Sequence, residues 1–235
     1  MDFTNSTGGA ITYPRFAARA RVARATSWWG KAWVRAVEES AYGEGELRRS
    51  RADARAGHVG GITIEPGLFF AAVQHGDDLW SPRVALPVLE PGQRDAFVEV
   101  VAARTGRVAA LLAGTLPHDV VEESEESGVE LLPYGGEFEA ACPCDAWTQP
   151  CAHALAVLHQ CAWLIDDDPF VLLHLRGLSR EELLAALHER AAGEPPEPQD
   201  DEVETAYDAA LRARRLVGEF GVDGSEVVVE QGDRP

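Results

Sequence analysis

Cysteine is scarce in this chain, and long hydrophobic runs are missing from it. The 235 residues include only four cysteines. No apolar stretch approaches the roughly 20 residues that a membrane-spanning helix needs, so we expect no membrane association. The N-terminal segment also lacks the apolar core of a secretory signal. We therefore expect a cytoplasmic protein, and a reducing cytoplasm disfavours structural disulfides.

The short motifs of several enzyme classes are also absent. The sequence has no H-E-x-x-H, no G-x-x-x-x-G-K-[ST], no G-x-S-x-G and no G-x-G-x-x-G. It lacks the zinc-deaminase pattern too, which needs His-x-Glu followed by Pro-Cys-x-x-Cys. We therefore expect no catalytic activity and no small-molecule substrate.

Positive charge is missing from the middle of the chain. The formal net charge is −18, and no Lys or Arg lies between Arg107 and Arg176. Residues 1–60, in contrast, carry more Lys and Arg than Asp and Glu. Because phosphate contacts require cations, the acidic body disfavours general nucleic-acid binding. The basic N-terminal end could bind nucleic acid or an acidic partner.

The apolar pattern predicts an α+β fold, in which a small antiparallel sheet accompanies several helices. The runs VGGITIE and LFFAAVQ flank the turn residues Pro66-Gly67 and predict a β-hairpin. RVALPVL (83–89) is a candidate third strand, which Pro87 would confine to a sheet edge. EFEAACPC (137–144) alternates like a further strand and leads directly into three cysteines.

Helical signals surround these strands. Thr26 or Ser27 can cap a helix that begins WWGKAW, with its tryptophans in the core. Further helices are predicted over 46–57, 91–105 and 152–165, and after Asp168 and Ser179. We divide the chain into a flexible basic lead (1–25), an α+β domain (26–192), an acidic Pro-rich linker (193–204) and a C-terminal tail (205–235).

Three of the four cysteines and a histidine lie together in the stretch CPCDAWTQPCAH. Cys142 and Cys144 can point their sulfurs to one side of a strand or tight hairpin. Cys151 and His153 begin the predicted helix. Three thiolates and an imidazole suit tetrahedral Zn²⁺, and four protein ligands make a structural site. Redox-active, inert or bridged thiols are the alternatives, but spacing and compartment favour zinc. Cys161 is expected to be a buried free thiol.

The pattern C-P-C, six residues, C-A-H resembles the SWIM zinc finger, C-x-C followed by C-x-H. From about Trp28 to Arg190 the chain is also similar to bacterial SWIM-containing proteins. The similar parts are the WWGKAW start, the RADARAGHV segment, and Asp-Pro-Phe with Leu-rich helices after the finger. The resemblance implies a ββα-type zinc finger over about 137–165, embedded in the α+β domain. Where the family often has a basic residue between the last Cys and His, this chain has Ala152.

The family resemblance also implies a binding role, for DNA or protein, often beside Swi/Snf-type ATPases of the helicase superfamily. Zn²⁺ with three thiolates and a neutral His carries a net charge of −1, and the neighbouring Glu137, Glu139 and Asp145 are acidic. We therefore predict a protein partner for the finger. Trp147, between the ligand pairs, is either an anchor for that partner or a core residue packed over the zinc.

DNA binding through N-terminal arginines is the alternative function. The arginine fork suits phosphate, although the same side chains could form a solvated basic face. The candidates in the second predicted helix are Arg48, Arg49, Arg51 and Arg55, and those nearer the N-terminus are Arg15, Arg19, Arg21 and Arg24.

Overall fold

The computed structural model describes residues 9–20, 25–193 and 212. The chain divides into two units, Met1–Glu189 and Arg190–Pro235. The elements below belong to the first unit, apart from the end of the last helix. The predicted linker (193–204) and tail (205–235) lie outside the described residues, except for Gly193 and Arg212.

The described part of the chain has the predicted α+β fold, with an antiparallel sheet and several helices. None of its helices combines the length and apolarity that a membrane span requires. The helices are α1 (Trp28–Ser40), α2 (Glu44–Ala56), α3 (Pro91–Ala102), α4 (Thr105–Leu112), α5 (His118–Glu126), α6 (Ala152–Asp167), α7 (Pro169–Leu175) and α8 (Arg180–Gly193). The strands are β1 (Ile11–Tyr13), β2 (Val59–Glu65), β3 (Leu68–His75), β4 (Asp78–Trp80), β5 (Arg83–Ala85) and β6 (Glu139–Ala141).

The strands form one sheet in the order β1-β2-β3-β5-β6, and β4 pairs with β3 beside this path. The β2–β3 hairpin turns at Pro66-Gly67 as predicted, and Gly67 has the positive φ of 75° that such a turn requires. β5 lies between β3 and β6, so the predicted edge position of this strand is wrong. The strand ends at Ala85, so Pro87 lies just beyond it and removes no ladder hydrogen bond. β6 pairs with β5, and its last residue, Ala141, lies opposite Arg83. The cysteines that follow β6 therefore begin at the edge of the sheet.

The predicted flexible lead contains structure that the sequence did not indicate. β1 adds to the sheet edge beside β2, where the Thr12 and Thr63 hydroxyl oxygens lie 2.9 Å apart. The Arg15 Nε donates to the Gly57 carbonyl at 2.7 Å. Gly57, the last residue of the helix predicted over 46–57, has a φ of 74° and caps the C-terminus of α2. Residues 9–20 are therefore attached to β2 and to the end of α2.

Helix α6 lies at the centre of the unit. Twelve of its sixteen residues are buried, and α1, α2, β2 and β3 all contact it. From α1, the Trp29 and Trp33 indoles donate to α6 carbonyls, at 2.8 Å to Ile165 and 3.1 Å to Leu158. Both indoles are buried, which confirms the predicted core role, and Cys161 is a fully buried free thiol as expected.

The start of α1 is tied to the end of α6. Ser27 caps α1 by accepting from the Gly30 backbone N–H at 3.0 Å. The Asp166 carboxylate accepts from the backbone N–H of Thr26 and of Ser27, at 3.0 and 2.8 Å. Burial raises the pKa of Asp166, but these hydrogen bonds outweigh it and leave the pKa lowered. A side chain at Gly30 would overlap this carboxylate.

A buried arginine joins α4 to α5. Arg107 is 3% exposed and donates to the Val100 carbonyl at 2.6 Å. Its guanidinium also binds both Asp119, at 2.7 Å, and Glu123. Hydrogen bonds from Arg107 hold the pKa of both carboxyl groups below their usual range. Two carboxylates and one carbonyl therefore pair with the buried guanidinium of Arg107.

Candidate metal centre

The four predicted ligands converge at the N-terminus of α6. The sulfurs of Cys142, Cys144 and Cys151 and a ring nitrogen of His153 all lie within 4.8 Å of one another. The Nδ1 atom of His153 is 3.9 Å from the sulfurs of both Cys142 and Cys151. A tetrahedral zinc centre spaces such atoms by about 3.5–3.8 Å, given its usual bond lengths. The donor set and its spacing therefore fit one metal ion.

Two elements deliver these ligands in pairs. Cys142 directly follows β6, and Cys144 is two residues further along a segment without regular structure. Cys151 occupies the N-cap of α6, and His153 is the second residue of that helix. The Cys144 backbone N–H donates to the Cys142 sulfur, and the Ala154 N–H donates to the Cys151 sulfur. These hydrogen bonds and the positive end of α6 favour sulfur in its anionic form.

The predicted ββα arrangement of the finger needs correction. Within residues 137–165 the structure has one strand, β6, and one α-helix, α6, and Glu137 ends a short 3-10 helix that begins at Gly135. The strand that pairs with β6 is β5, which lies more than fifty residues earlier in the chain. Between the ligand pairs, the chain bends and forms no second strand.

Burial shifts the pKa values of three of the four candidate ligands. Burial raises the pKa of Cys142 to about 12, and burial also raises the pKa of Cys151. The pKa of His153 is lowered, by burial first and then by His75. Before a metal ion binds, these pKa shifts favour the neutral thiols of Cys142 and Cys151 and the neutral imidazole of His153. A bound metal ion supplies the positive charge that lets the thiols ionise in this place.

Side chains from outside the motif surround His153. The ring of Trp80, at the end of β4, lies nearly parallel to it, with 5.8 Å between centroids and 20° between planes. The ring of His75, at the end of β3, meets it edge-on at 5.4 Å. In the sequence, His75 belongs to no motif and lies far from the cysteines. Neither His75 nor Trp80 could therefore be assigned to the site from the spacing of residues.

A buried aspartate lies behind His75. Asp53 of α2 is 6% exposed, and its Oδ2 lies 3.7 Å from the His75 Nδ1. Its Oδ1 lies 2.9 Å from the Nδ1 of His58, which makes a hydrogen bond. Asp53 Oδ2 has no hydrogen-bond partner within the described residues. The carboxylate thus links two histidines, one of which contacts the ligand His153.

Trp147 is exposed, so its interpretation as a core residue packed over the metal is wrong. Its side chain is 79% exposed and lies in the segment between the two ligand pairs. It contacts Tyr42, which is 69% exposed, with 4.8 Å between ring centroids and 73° between ring planes. Tyr42 belongs to the connection between α1 and α2 and was not singled out from the sequence. A partner-binding role for Trp147 stays a prediction.

The predicted nucleic-acid-binding arginines of α2 differ in their surroundings. Arg48, Arg49 and Arg55 are exposed, whereas Arg51 is half-buried and forms an ion pair with Glu38. DNA binding by these side chains stays a prediction.

The arginines of the predicted lead are partly engaged within the fold. Arg15 donates to Gly57, and the guanidinium of Arg19 lies over the Trp163 ring at 4.4 Å from its centroid. Arg21 and Arg24 lie outside the described residues.

No family model matches the chain, and no solved structure matches it. The chain is similar to the uncharacterized protein Rv2102 of Mycobacterium tuberculosis (strain ATCC 25618 / H37Rv), with 32% identity over 179 residues. This similarity covers 75% of the chain and 64% of that protein. The chain thus spans less than two thirds of the length of the curated relative that it matches.

Proposed function

We propose that the protein is a zinc-binding, non-catalytic interaction protein of the SWIM type. The observation that carries the proposal is the convergence of three sulfurs and one imidazole nitrogen within 4.8 Å of one another. Soft thiolates disfavour magnesium, calcium and manganese, and this donor set suits zinc. Four protein ligands leave no open position for water, so the metal is structural.

Zinc would hold the N-terminus of α6 to the edge of the sheet. Its ligands come from the end of β6 and the start of the most buried helix, so the metal joins two parts of the core. We infer that the metal stabilises the unit and fixes the segment between the ligand pairs, where Trp147 is exposed. A reducing cytoplasm keeps these thiols available for the metal.

The test of the metal site compares a ligand with the one cysteine that is not a ligand. Cys144→Ser should lose tight zinc binding, whereas Cys161→Ala should retain one zinc per chain, because Cys161 lies outside the centre. Native mass spectrometry counts the metal, and Co²⁺ substitution should give the absorption of tetrahedral thiolate coordination. A wild-type chain that binds no metal, or equal loss in both variants, would overturn the proposal.

The partner that we propose is a protein, with a Swi/Snf-type helicase-like ATPase as the expected assembly. The C-x-C and C-x-H pattern supports this assignment through the family resemblance, and the exposed Trp147 supplies a suitable anchor. Affinity purification from host lysate would compare wild type with Trp147→Ala, with zinc content measured in both. Recovery of such an ATPase by wild type alone supports the proposal. Equal recovery by both proteins contradicts it.

DNA binding is the second candidate function, and the exposure of Arg48, Arg49 and Arg55 on α2 favours it. The Arg48→Ala, Arg55→Ala double variant should then bind duplex DNA more weakly, regardless of sequence, and with a shallower salt dependence. Fluorescence anisotropy at two salt concentrations measures both quantities. Unchanged affinity in the double variant contradicts this function.

A further inference from the structure

We propose that Tyr42 and Trp147 form a docking site for a basic peptide segment of a protein partner. This inference rests on the proposed interaction role and adds the chemistry of the partner. The two rings are called the aromatic pair below.

Both rings of the aromatic pair are largely exposed to solvent. Trp147 and Tyr42 are the two most exposed aromatic side chains of the described residues, and they contact each other at 4.8 Å. They come from separate parts of the chain, the α1–α2 connection and the segment between the ligand pairs. Large aromatic side chains otherwise contribute to the core here, as Trp33 does with no exposed surface. Tyr and Trp are also the side chains that most often anchor protein interfaces.

Acidic side chains lie next to the aromatic pair in sequence, and the exposed Arg48 and Arg49 follow them on α2. Residues 36–47, which include Tyr42, hold four glutamates and no Lys or Arg. Residues 108–175, which include Trp147, hold no Lys or Arg either. Arg51 pairs with one of the glutamates, Glu38. The remaining acidic side chains next to the aromatic pair in sequence are Glu39, Glu44, Glu46 and Asp145.

This combination of aromatic rings and acidic groups selects the occupant. Arg and Lys side chains are attracted to the faces of Trp and Tyr rings, and the carboxylates next to the aromatic pair in sequence would add a long-range attraction. Single-stranded nucleic acid could stack on the same rings, but its phosphates would meet acidic groups here. The charge therefore favours a basic peptide over a nucleic acid.

The metal centre would also prepare this surface. The segment that carries Trp147 begins after Cys144 and ends at Cys151, so a bound metal holds both of its ends. A segment fixed before binding loses less conformational entropy when the partner arrives. We therefore expect peptide affinity to depend on metal loading.

The experiment uses the full, zinc-loaded chain and a fluorescein-labelled peptide of alternating Arg, Lys and Ser. Fluorescence anisotropy should show binding that weakens as salt is added. Trp147→Ala and Tyr42→Ala should each weaken the binding about tenfold, as expected for anchor side chains. Tyr134→Ala is the matched control, because Tyr134 is another exposed tyrosine, 56% exposed, outside the aromatic pair. It should bind like the wild type.

The outcomes separate this inference from the proposed function. Zinc content is measured in every sample by native mass spectrometry. The inference is overturned if the zinc-loaded wild-type chain does not bind the basic peptide, or if the Trp147→Ala variant binds it as tightly as the wild type. Either result leaves the zinc site unaffected. Tighter binding of an oligothymidylate than of the basic peptide, measured by competition, also overturns it. A chain without zinc contradicts the proposed function itself.

Discussion

Replacing His75 should weaken zinc binding although His75 is not a ligand. The Nδ1 atom of His153 faces the sulfurs, and the His75 ring meets the His153 ring edge-on at 5.4 Å. His75 in turn lies 3.7 Å from the buried Asp53 carboxylate. We infer that His75 helps to hold the His153 ring in the orientation that a metal ion would need.

The expected magnitude follows from the position of His75 next to the ligand. Loss of a side chain that orients a metal-binding histidine typically costs about 10–100-fold in metal affinity. Trp80 lies along the face of the same His153 ring and remains in the variant, so we expect His75→Ala to fall at the lower end, about tenfold. A tenfold loss corresponds to about 1.4 kcal/mol of binding free energy.

The assay is a competition titration with a chromophoric chelator at constant pH, which gives the zinc dissociation constant. His58→Ala is the matched control, because His58 bonds the other oxygen of Asp53. No ring contact joins His58 to His153 among the described residues, so His58→Ala should change the affinity less. Circular dichroism checks that each variant is folded. Equal zinc affinity in His75→Ala and wild type, or an equal loss in His58→Ala, would refute the reasoning.

Three further perturbations test the fold around the centre. A strong chelator should lower the thermal unfolding midpoint, because metal binding contributes folding free energy at the end of the central helix; an unchanged circular-dichroism melt contradicts this. Gly30→Ala should destabilise by about 1–2 kcal/mol despite the helix preference of Ala, since its methyl group would overlap Asp166. A midpoint in urea equal to that of wild type would show that the carboxylate moves away freely. Asp119 and Glu123 have lowered pKa values beside Arg107, so their stabilisation is present near neutral pH and is lost as pH falls below about 4. The Asp119→Asn, Glu123→Gln double variant should be less stable at pH 7 and lose less stability on acidification, and parallel pH profiles would contradict this.

The convergence of the candidate ligands could be predicted because the signal is local. Three cysteines and a histidine in one short stretch are typical of a metal site, and their spacing needs no knowledge of the tertiary fold. The hairpin, the α2 cap at Gly57 and the cap of α1 at Ser27 were predictable for the same reason. Each depends on residues a few positions apart.

The surroundings of the centre could not be predicted, because they come from distant parts of the chain. Asp53, His75 and Trp80 lie on α2, β3 and β4, and only the packing of α2 and of the sheet against α6 brings them near His153. Periodicity also misses short strands. β1 has three residues in a segment that reads as a flexible lead, and its place depends on the edge of β2.

The pairing of α1 with α6 has a consequence for synthesis on the ribosome. The Trp29 indole bonds a carbonyl that is 136 residues further along the chain. At translation rates of about 5–20 residues per second, that carbonyl is added about 7–27 s after the tryptophan. During this interval the apolar face of α1 has none of its α6 neighbours to cover it. The tryptophans of α1 therefore stay without this cover until the chain has been made as far as Ile165.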